Sequence, residues 1–493
     1  MTSSFNRLAQ GAFILGSARA FEFFIGLLKF KIGAVFLGVS GFGVFNQANF
    51  LSNKISILTT LSINEGLVKQ IAESSKKQNV RDLILSSLKS YIKLIAIFSF
   101  IALTLLTISS NYLTVFIFGD ERFISAFWVC LFSLPLLILN SIPYSIMRAF
   151  QDTSSIAKVR IISSLTNIFH SIALIYYFGL NGAIISIFLS HLVTVLMQYY
   201  FSRKSYFLKY KITIKSILHA KPNYDFQKEL FSFSSFGLSI GSYVIVSEFI
   251  CRAIVIDRLG IEAVGLYSPV ILCGTLFTGF VIPSISTYLY SSLCKITNIS
   301  EISNYLNDAI RLGTLALVPF TIILILLKEQ IVVLIFSNDF LESAQYIPYQ
   351  MIGIIFFVWF SVLGSSFTST GRIKQHGFFR FFYLTIDIII TYYFVRLYGL
   401  WGWTAKYMVS PIMFCLIYFI YCNRFMKVSI NTDNIMIMTF LLSAITLLIF
   451  SEGHYFNDVQ LNFLLGPILI FSFYFFIKED EKLFLKNYFS RKL

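Results

Sequence analysis

Apolar residues recur in blocks of about 20, the length a helix needs to cross a bilayer. The blocks lie at 9–36, 42–63, 91–109, 123–144, 159–178, 181–201, 230–256, 264–290, 308–327, 346–369, 377–396, 401–422, 434–451 and 461–477. Runs of this length with few charges predict an all-α integral membrane fold of about 14 transmembrane helices. Two blocks break the pattern. The second carries Asn46, Gln47, Asn49, Asn53 and Lys54, and the seventh carries Glu248 and Arg252. Lipid on all sides would penalise both, so each is expected to face protein or a watery cavity.

Composition agrees. Of 493 residues, 57% are hydrophobic and 13% charged, against about a quarter charged in a soluble domain. This excludes a soluble enzyme, a disordered tail and a disulfide scaffold. The six cysteines form no CxxC pair and are read as packing residues. The five histidines are scattered, so neither a metal site nor a cofactor is expected. Eight of the nine prolines fall in or at the ends of spans, and Pro269 and Pro283 are placed to let span 8 bend. The N-terminal segment lacks a signal-cleavage pattern and reads as an uncleaved first helix.

The net charge of +15 reflects topology, not nucleic acid, because cytoplasmic loops collect Lys and Arg. With both termini in the cytoplasm, only Arg122, Arg258, Lys328 and Arg396 of the 39 Lys and Arg fall in outer loops. Acids such as Asp120, Glu121, Asp339 and Glu342 collect there instead. The longest loops, 64–90 and 202–229, are both cytoplasmic on this count. The basic 202–229 segment has the charge to bind anionic lipid headgroups, but reads first as an orientation signal and inter-lobe linker.

Four segments recur about 220 residues apart, in the same order. LGVSGFGVF (Leu37–Phe45) matches LGIEAVGLY (Leu259–Tyr267), and VFIFGDERFISA (Val115–Ala126) matches VLIFSNDFLESA (Val333–Ala344). FQDTSSI (Phe150–Ile156) matches FTSTGRI (Phe367–Ile373), and FGLNG (Phe178–Gly182) matches YGLWG (Tyr398–Gly402). Spans 1–6 therefore repeat as spans 7–12. Six is even, so both halves enter from the same side and are related by an axis along the membrane normal. The expected organisation is a six-helix lobe at 1–201, a basic loop at 202–229 and a second six-helix lobe at 230–422. A helix pair at 434–477 and a cytoplasmic tail at 478–493 follow.

These anchors, with polar span 2 and GLVKQIAE at Gly66–Glu73, resemble the polysaccharide-transport branch of the multidrug/oligosaccharidyl-lipid/polysaccharide exporter superfamily. Within it the chain resembles bacterial O-antigen (Wzx-type) flippases. The resemblance covers nearly the whole chain. It implies two six-helix lobes in the bacterial inner membrane, with both termini cytoplasmic. It also implies alternating access that moves an undecaprenyl-diphosphate-linked oligosaccharide from the inner to the outer leaflet. Partners would be that lipid, the bilayer and other polysaccharide-assembly proteins, with no nucleic acid and no catalysis.

Charges inside spans are the candidate site. Arg19 has Glu22 at i+3 on span 1, and Arg252 has Glu248 at i−4 on span 7. Lys54 lies deep in span 2. Arg19, Lys54 and Arg252 are read as a cationic cavity for a lipid diphosphate, because Arg offers phosphate a planar fork and Lys a point charge. The competing reading is mutual neutralisation within each helix. Lys29 and Lys31 are expected to snorkel outward, and Lys93 and Lys406 to sit at the membrane edge. Glu22, Glu248 and Asp387 are candidates for ion coupling or charge balance, Asp387 alternatively bonding a nearby Tyr or Ser. Two rival functions remain. A multidrug exporter moving organic cations calls for an acidic or neutral cavity. A membrane polymerase or acyltransferase calls for large outer loops or a His–acid centre, and this chain has neither.

Overall fold

The computed structural model describes residues 3–60, 63–74, 79–294 and 298–451, with single positions at 296 and between 466 and 479. The described residues form helices and no strands. Most of the fourteenth block, 461–477, and of the tail lies outside them.

The chain divides into two compact units. The first comprises Met1–Leu266 with Ile335–Asp339, and the second Tyr267–Leu334 with Phe340–Leu493. The first unit holds α1 (Ser3–Thr60), α2 (Ile63–Ser74), α3 (Val80–Ile108), α4 (Ser110–Phe118), α5 (Ile124–Ala149), α6 (Thr153–Ser202), α7 (Ile214–His219), α8 (Tyr224–Leu259) and α9 (Ile261–Leu266). The second holds α10 (Ser268–Leu293), α11 (Ile299–Leu326), α12 (Lys328–Ile335, whose last residue is counted with the first unit), α13 (Ile347–Ser369), α14 (Ile373–Tyr398), α15 (Leu400–Met426) and α16 (Thr432–Ser451). In that unit α13 packs on α10, α11 and α15, and α16 on α11.

Ten helices among the described residues are long and apolar enough to cross a membrane. Two of them, Phe13–Ile55 and Thr153–Leu208, each carry two of the sequence blocks. The junction in α1 is Gly38 (φ 63°, ψ −175°), and the junction in α6 is Gly179 (φ 54°, ψ −130°). The repeat assigns Gly260 and Gly399 to the same places. Their values are φ 82°, ψ 169° and φ 58°, ψ −131°. A positive φ with so extended a ψ favours residues without a Cβ, and glycine stands at all four junctions. α8 is also long enough to span, and it carries Glu248 and Arg252.

The third anchor differs from its sequence register. The chain reverses after α5 at Gln151 (φ 56°) and after α13 at Gly371 (φ 76°). Asp152 N donates to Met147 O at 2.9 Å, and Arg372 N donates to Phe367 O at 2.8 Å. This is the same helix-ending turn, and it pairs Gln151 with Gly371, three residues beyond the letter match. The second anchor is a cap. α4 ends on left-handed Gly119, and Asp120 accepts from the Arg122 backbone and side chain, both at 2.8 Å. Those bonds hold the exposed Asp120 carboxyl below the usual carboxylate range.

Two stretches read as loop are helical. In α2, Ile63, Leu67 and Ile71 recur every fourth residue and bury against Leu88, Tyr91, Ile142 and Ile146. Arg148 clamps Glu65 through two parallel bonds of 2.7 and 3.0 Å. The segment GLVKQIAE is therefore a docked amphipathic helix. After α6 the chain makes a π-turn at Arg203–Leu208, whose Tyr206 hydroxyl donates to Asp152 at 2.9 Å, and then forms α7.

The first unit runs on past 201 to include α8 and α9, which the sequence places in the second lobe. The cause is a close approach. A Cβ on Gly43 would lie 2.4 Å from the Ile261 carbonyl oxygen, and one on Gly265 would lie 2.1 Å from the Val39 carbonyl oxygen. Val39 matches Ile261 in the repeat, and Gly43 matches Gly265. Each residue thus contacts its partner's equivalent, the reciprocity that a two-fold relation generates.

Candidate functional site

Gln47, Phe50 and Lys54 follow one another at i, i+3 and i+7, so they line one face of α1 beyond the Gly38 junction. Glu248, Phe249 and Arg252 face them from α8. Gln47 is fully buried. Its side-chain nitrogen donates to the Ile117 carbonyl of α4 at 3.0 Å, which turns its oxygen toward α8. Arg252 Nη1 donates to that oxygen at 3.0 Å. The guanidinium carbon lies 4.0 Å from the centre of the Phe50 ring, and Lys54 Nζ lies 5.3 Å from it. Phe249 closes on the same ring edge-on at 4.9 Å. Two cations therefore share one aromatic ring, an arrangement worth about 0.5–2 kcal/mol per cation.

Lys54 Nζ also meets Glu248 Oε2 at 2.6 Å, and the two side chains keep 23% and 39% of their exposure. The sequence pattern pairs Glu248 with Arg252 on its own helix. The structure gives the acid to Lys54 across the helix interface and turns Arg252 toward Gln47 and Phe50. Planarity suits Arg252 to its place, since a guanidinium lies flat on a ring while bonding sideways.

Arg19 stands apart. Counted from the matched hinges, Arg252 corresponds to Phe30, so Arg19 lies about 16 Å of helical rise farther from the hinge. Its side chain is exposed. Glu22 lies 3.6 Å from Arg160 of α6 and lines a cavity of about 230 Å³ with Asn140, Tyr144 and Gln198.

Lys29 does not snorkel. Its Nζ donates to Asn167 Oδ1 at 3.2 Å and lies 5.3 Å from the Phe45 ring. Asn167 Oδ1 also accepts from Ser190 at 2.6 Å and Ser171 at 3.1 Å. Nearby, Ser52 bonds His191 at 3.0 Å. Lys29 and Gln47 each lie nine residues from Gly38, so the two sit at one level of the bundle. The polar spacing of span 2 pointed to Gln47. Nothing in the text pointed to Phe50 as a cation platform or to Asn167 as the anchor of Lys29.

In the second unit, Asp387 and Lys406 are both buried and lie 3.4 Å apart. Lys406 Nζ is 4.2 Å from the Tyr407 ring. Lys406 is therefore packed inside the unit, and Asp387 has a cation beside it. The hinge at Gly399 folds α15 back on α14 and brings the two together. Among the described residues, no group of three or more His, Cys, Asp or Glu is placed to hold a metal.

A family model described as polysaccharide biosynthesis protein matches residues 8–291. That is more than half of the chain, and it includes Arg19, Lys54 and Arg252. The chain belongs to the polysaccharide biosynthesis protein family. This places it in the multidrug/oligosaccharidyl-lipid/polysaccharide exporter superfamily, as a multi-pass membrane protein. The lipid III flippase of Escherichia coli (strain K12) is 19% identical over 397 residues, covering 79% of this chain and 92% of that protein. A probable lipid II flippase MurJ of Buchnera aphidicola is 30% identical over 122 residues, covering 23% of this chain and 24% of that protein. Among solved structures, the lipid II flippase MurJ in an inward closed conformation superposes with a TM-score of 0.69 at 17% identity, covering 94% of this chain and 98% of that one. An inward-facing multidrug resistance MATE family transporter gives 0.68 at 15% identity, covering 86% and 96%. These likenesses define the fold of this polysaccharide biosynthesis family member. Its site chemistry rests on its own residues.

Proposed function

We propose that this protein is a flippase that carries an undecaprenyl-diphosphate-linked oligosaccharide, an O-antigen or other surface-polysaccharide repeat unit, from the inner to the outer leaflet of a bacterial inner membrane. The observation that carries the reading is the Lys54–Phe50–Arg252 cluster. It holds two cations between α1 and α8, each half-buried and keeping part of its exposure. A diphosphate is the membrane-borne group such cations suit. The lipid III flippase and the probable lipid II flippase among the relatives support the same reading. In this scheme Arg252 and Lys54 hold the diphosphate, Gln47 positions Arg252, and Glu248 keeps Lys54 in place until substrate arrives. Lys29 supplies further positive charge at the same level. Arg19 is a second phosphate contact nearer the cytoplasmic face. Asp387 balances Lys406, and Glu22 balances Arg160. Any coupling ion would use one of these acids.

The cationic cluster disfavours the rival reading of an organic-cation exporter, because a cationic drug is repelled where a diphosphate is drawn in. Disrupting the gene separates the two. Prenyl-diphosphate-linked oligosaccharide should accumulate on the cytoplasmic side, with no change in tolerance to organic cations. Drug hypersensitivity without accumulation would reverse the assignment.

Orientation follows the charge count, with both termini cytoplasmic. Cys294 is the one exposed native cysteine among the described residues, so labelling uses a Cys294→Ser background. An impermeant thiol reagent added to intact cells should modify Arg122→Cys and Glu342→Cys and spare Lys215→Cys. Labelling of the last would overturn the topology.

A further inference from the structure

Away from the α1–α8 cluster, the first unit contains a groove of about 1120 Å³ bounded by α3, α5, α6, the π-turn and α7. One wall is the α3 face bearing Lys89, Ile92, Lys93 and Ala96, which are neighbours at i, i+3, i+4 and i+7. The opposite wall is the end of α6 and the first residue of the π-turn, where Leu196, Tyr199, Tyr200 and Arg203 repeat the same spacing. Leu139 and Ile142 of α5 form the floor, and Ile214, Ile217 and Leu218 of α7 form the outer rim. The groove is graded. Its inner end, at Ala96, Leu139 and Leu196, is wholly apolar. Its outer end carries Lys89, Lys93 and Arg203 and no acid.

The rim is costly to leave in water. Ile214 is 80% exposed, Tyr200 71% and Leu218 62%. α7 is a short amphipathic turn with Lys215 and His219 on its polar side, the design of a segment lying in the headgroup layer. Lys89 Nζ donates to the Leu218 carbonyl at 3.1 Å and ties that segment to α3. Lys93 lies 5.5 Å from the Tyr224 ring, and the Arg203 side chain is exposed.

We propose that this groove is a docking site for an anionic glycerophospholipid of the cytoplasmic leaflet. Its acyl chains lie along the apolar floor, and its phosphate is held by Lys93 and Arg203 beside Lys89. Charge grading fixes the polarity of the occupant, because an apolar body and an anionic head are what the two ends accept. Basic pockets between helices on the cytoplasmic side bind such headgroups, and the leaflet supplies them continuously. None of Lys54, Glu248 and Arg252 lines the groove, so the transported lipid has its cations elsewhere. The bound lipid would hold the 203–222 segment against α3, fixing the start of the link to α8. The inference does not depend on the transport substrate.

The test uses the full-length protein, delipidated in a neutral detergent and titrated with phosphatidylglycerol or phosphatidylcholine under native mass spectrometry. Phosphatidylglycerol should bind selectively. The pair Lys93→Gln with Arg203→Gln should weaken it about 30-fold, since each surface cation contributes comparably. Ala96→Trp, which fills the apolar end and keeps every cation, should also weaken it. Lipid-free melting temperatures close to the parent's show that both variants fold. Equal retention of the two lipids, or retention unaffected by both variants, would overturn the proposal. So would displacement of phosphatidylglycerol by an equimolar prenyl phosphate, because the groove would then belong to the transported lipid.

Discussion

Arg252→Ala should reduce transport about 10- to 100-fold, the loss of one charge-assisted contact to the phosphates. The fold should survive the change. Glu248 keeps Lys54 as its partner at 2.6 Å, so that acid is not orphaned by removing Arg252. Losses on the protein side include the donor to the buried Gln47 oxygen and the stack on Phe50. An unsatisfied acceptor of that kind costs about 1–3 kcal/mol, less than the 3–5 kcal/mol of a broken buried ion pair. Arg252→Lys keeps the charge and loses the fork, and should retain part of the transport. Complementation of a disrupted strain, normalised to membrane abundance, reads both variants. Recovery of Arg252→Ala by Glu248→Gln would mean that Arg252 only offsets an acid, and its assignment to the diphosphate would fail.

Gly43→Ala should lower membrane abundance severalfold. Its methyl group would sit 2.4 Å from the Ile261 carbonyl oxygen and 3.2 Å from the Gly265 nitrogen. Those atoms are backbone in helical elements and cannot swing aside as a side chain does. Overpacking of this sort destabilises by about 1–3 kcal/mol. Gly265→Ala should behave alike, because it meets the two-fold-related carbonyl of Val39 at 2.1 Å. Gly26→Ala has no atom within 4 Å of the new methyl group and serves as the control. Thermal melting of purified protein gives the second readout. Abundance and melting temperature equal to the control's in both variants would refute the reciprocal contact.

The hinges were legible because their cause is local. A positive φ combined with an extended ψ is open in practice only to glycine, so Gly38, Gly179, Gly260 and Gly399 stand in matched text. The turn after α5 was misregistered by three residues because Gln151 occupies a left-handed position without being glycine. α2 was taken for loop although Ile63, Leu67 and Ile71 carried the helical period. It is short and polar on one side, and a hydropathy window built for spans passes over it.

The cation cluster was half legible. Lys54 and Arg252 were visible as charges that lipid would not tolerate. Which acid each one meets was not, because i, i+4 spacing describes one helix while Lys54 reaches Glu248 from another. Lys29 shows the same limit. Whether a lysine turns toward lipid or inward depends on which helix covers its face, and only tertiary packing placed Asn167 there. Lys406 and Asp387 became a pair through the Gly399 hinge.

The most direct test of the flippase assignment is translocation by purified protein. Liposomes containing the protein and a prenyl-diphosphate-linked oligosaccharide are treated with an impermeant glycan-modifying reagent from one side. The account predicts that protein raises the modified fraction well above the fraction in empty liposomes, and that Arg252→Ala removes most of the increase. Modification no greater than in empty liposomes, in vesicles where the same preparation moves an organic cation, would contradict it.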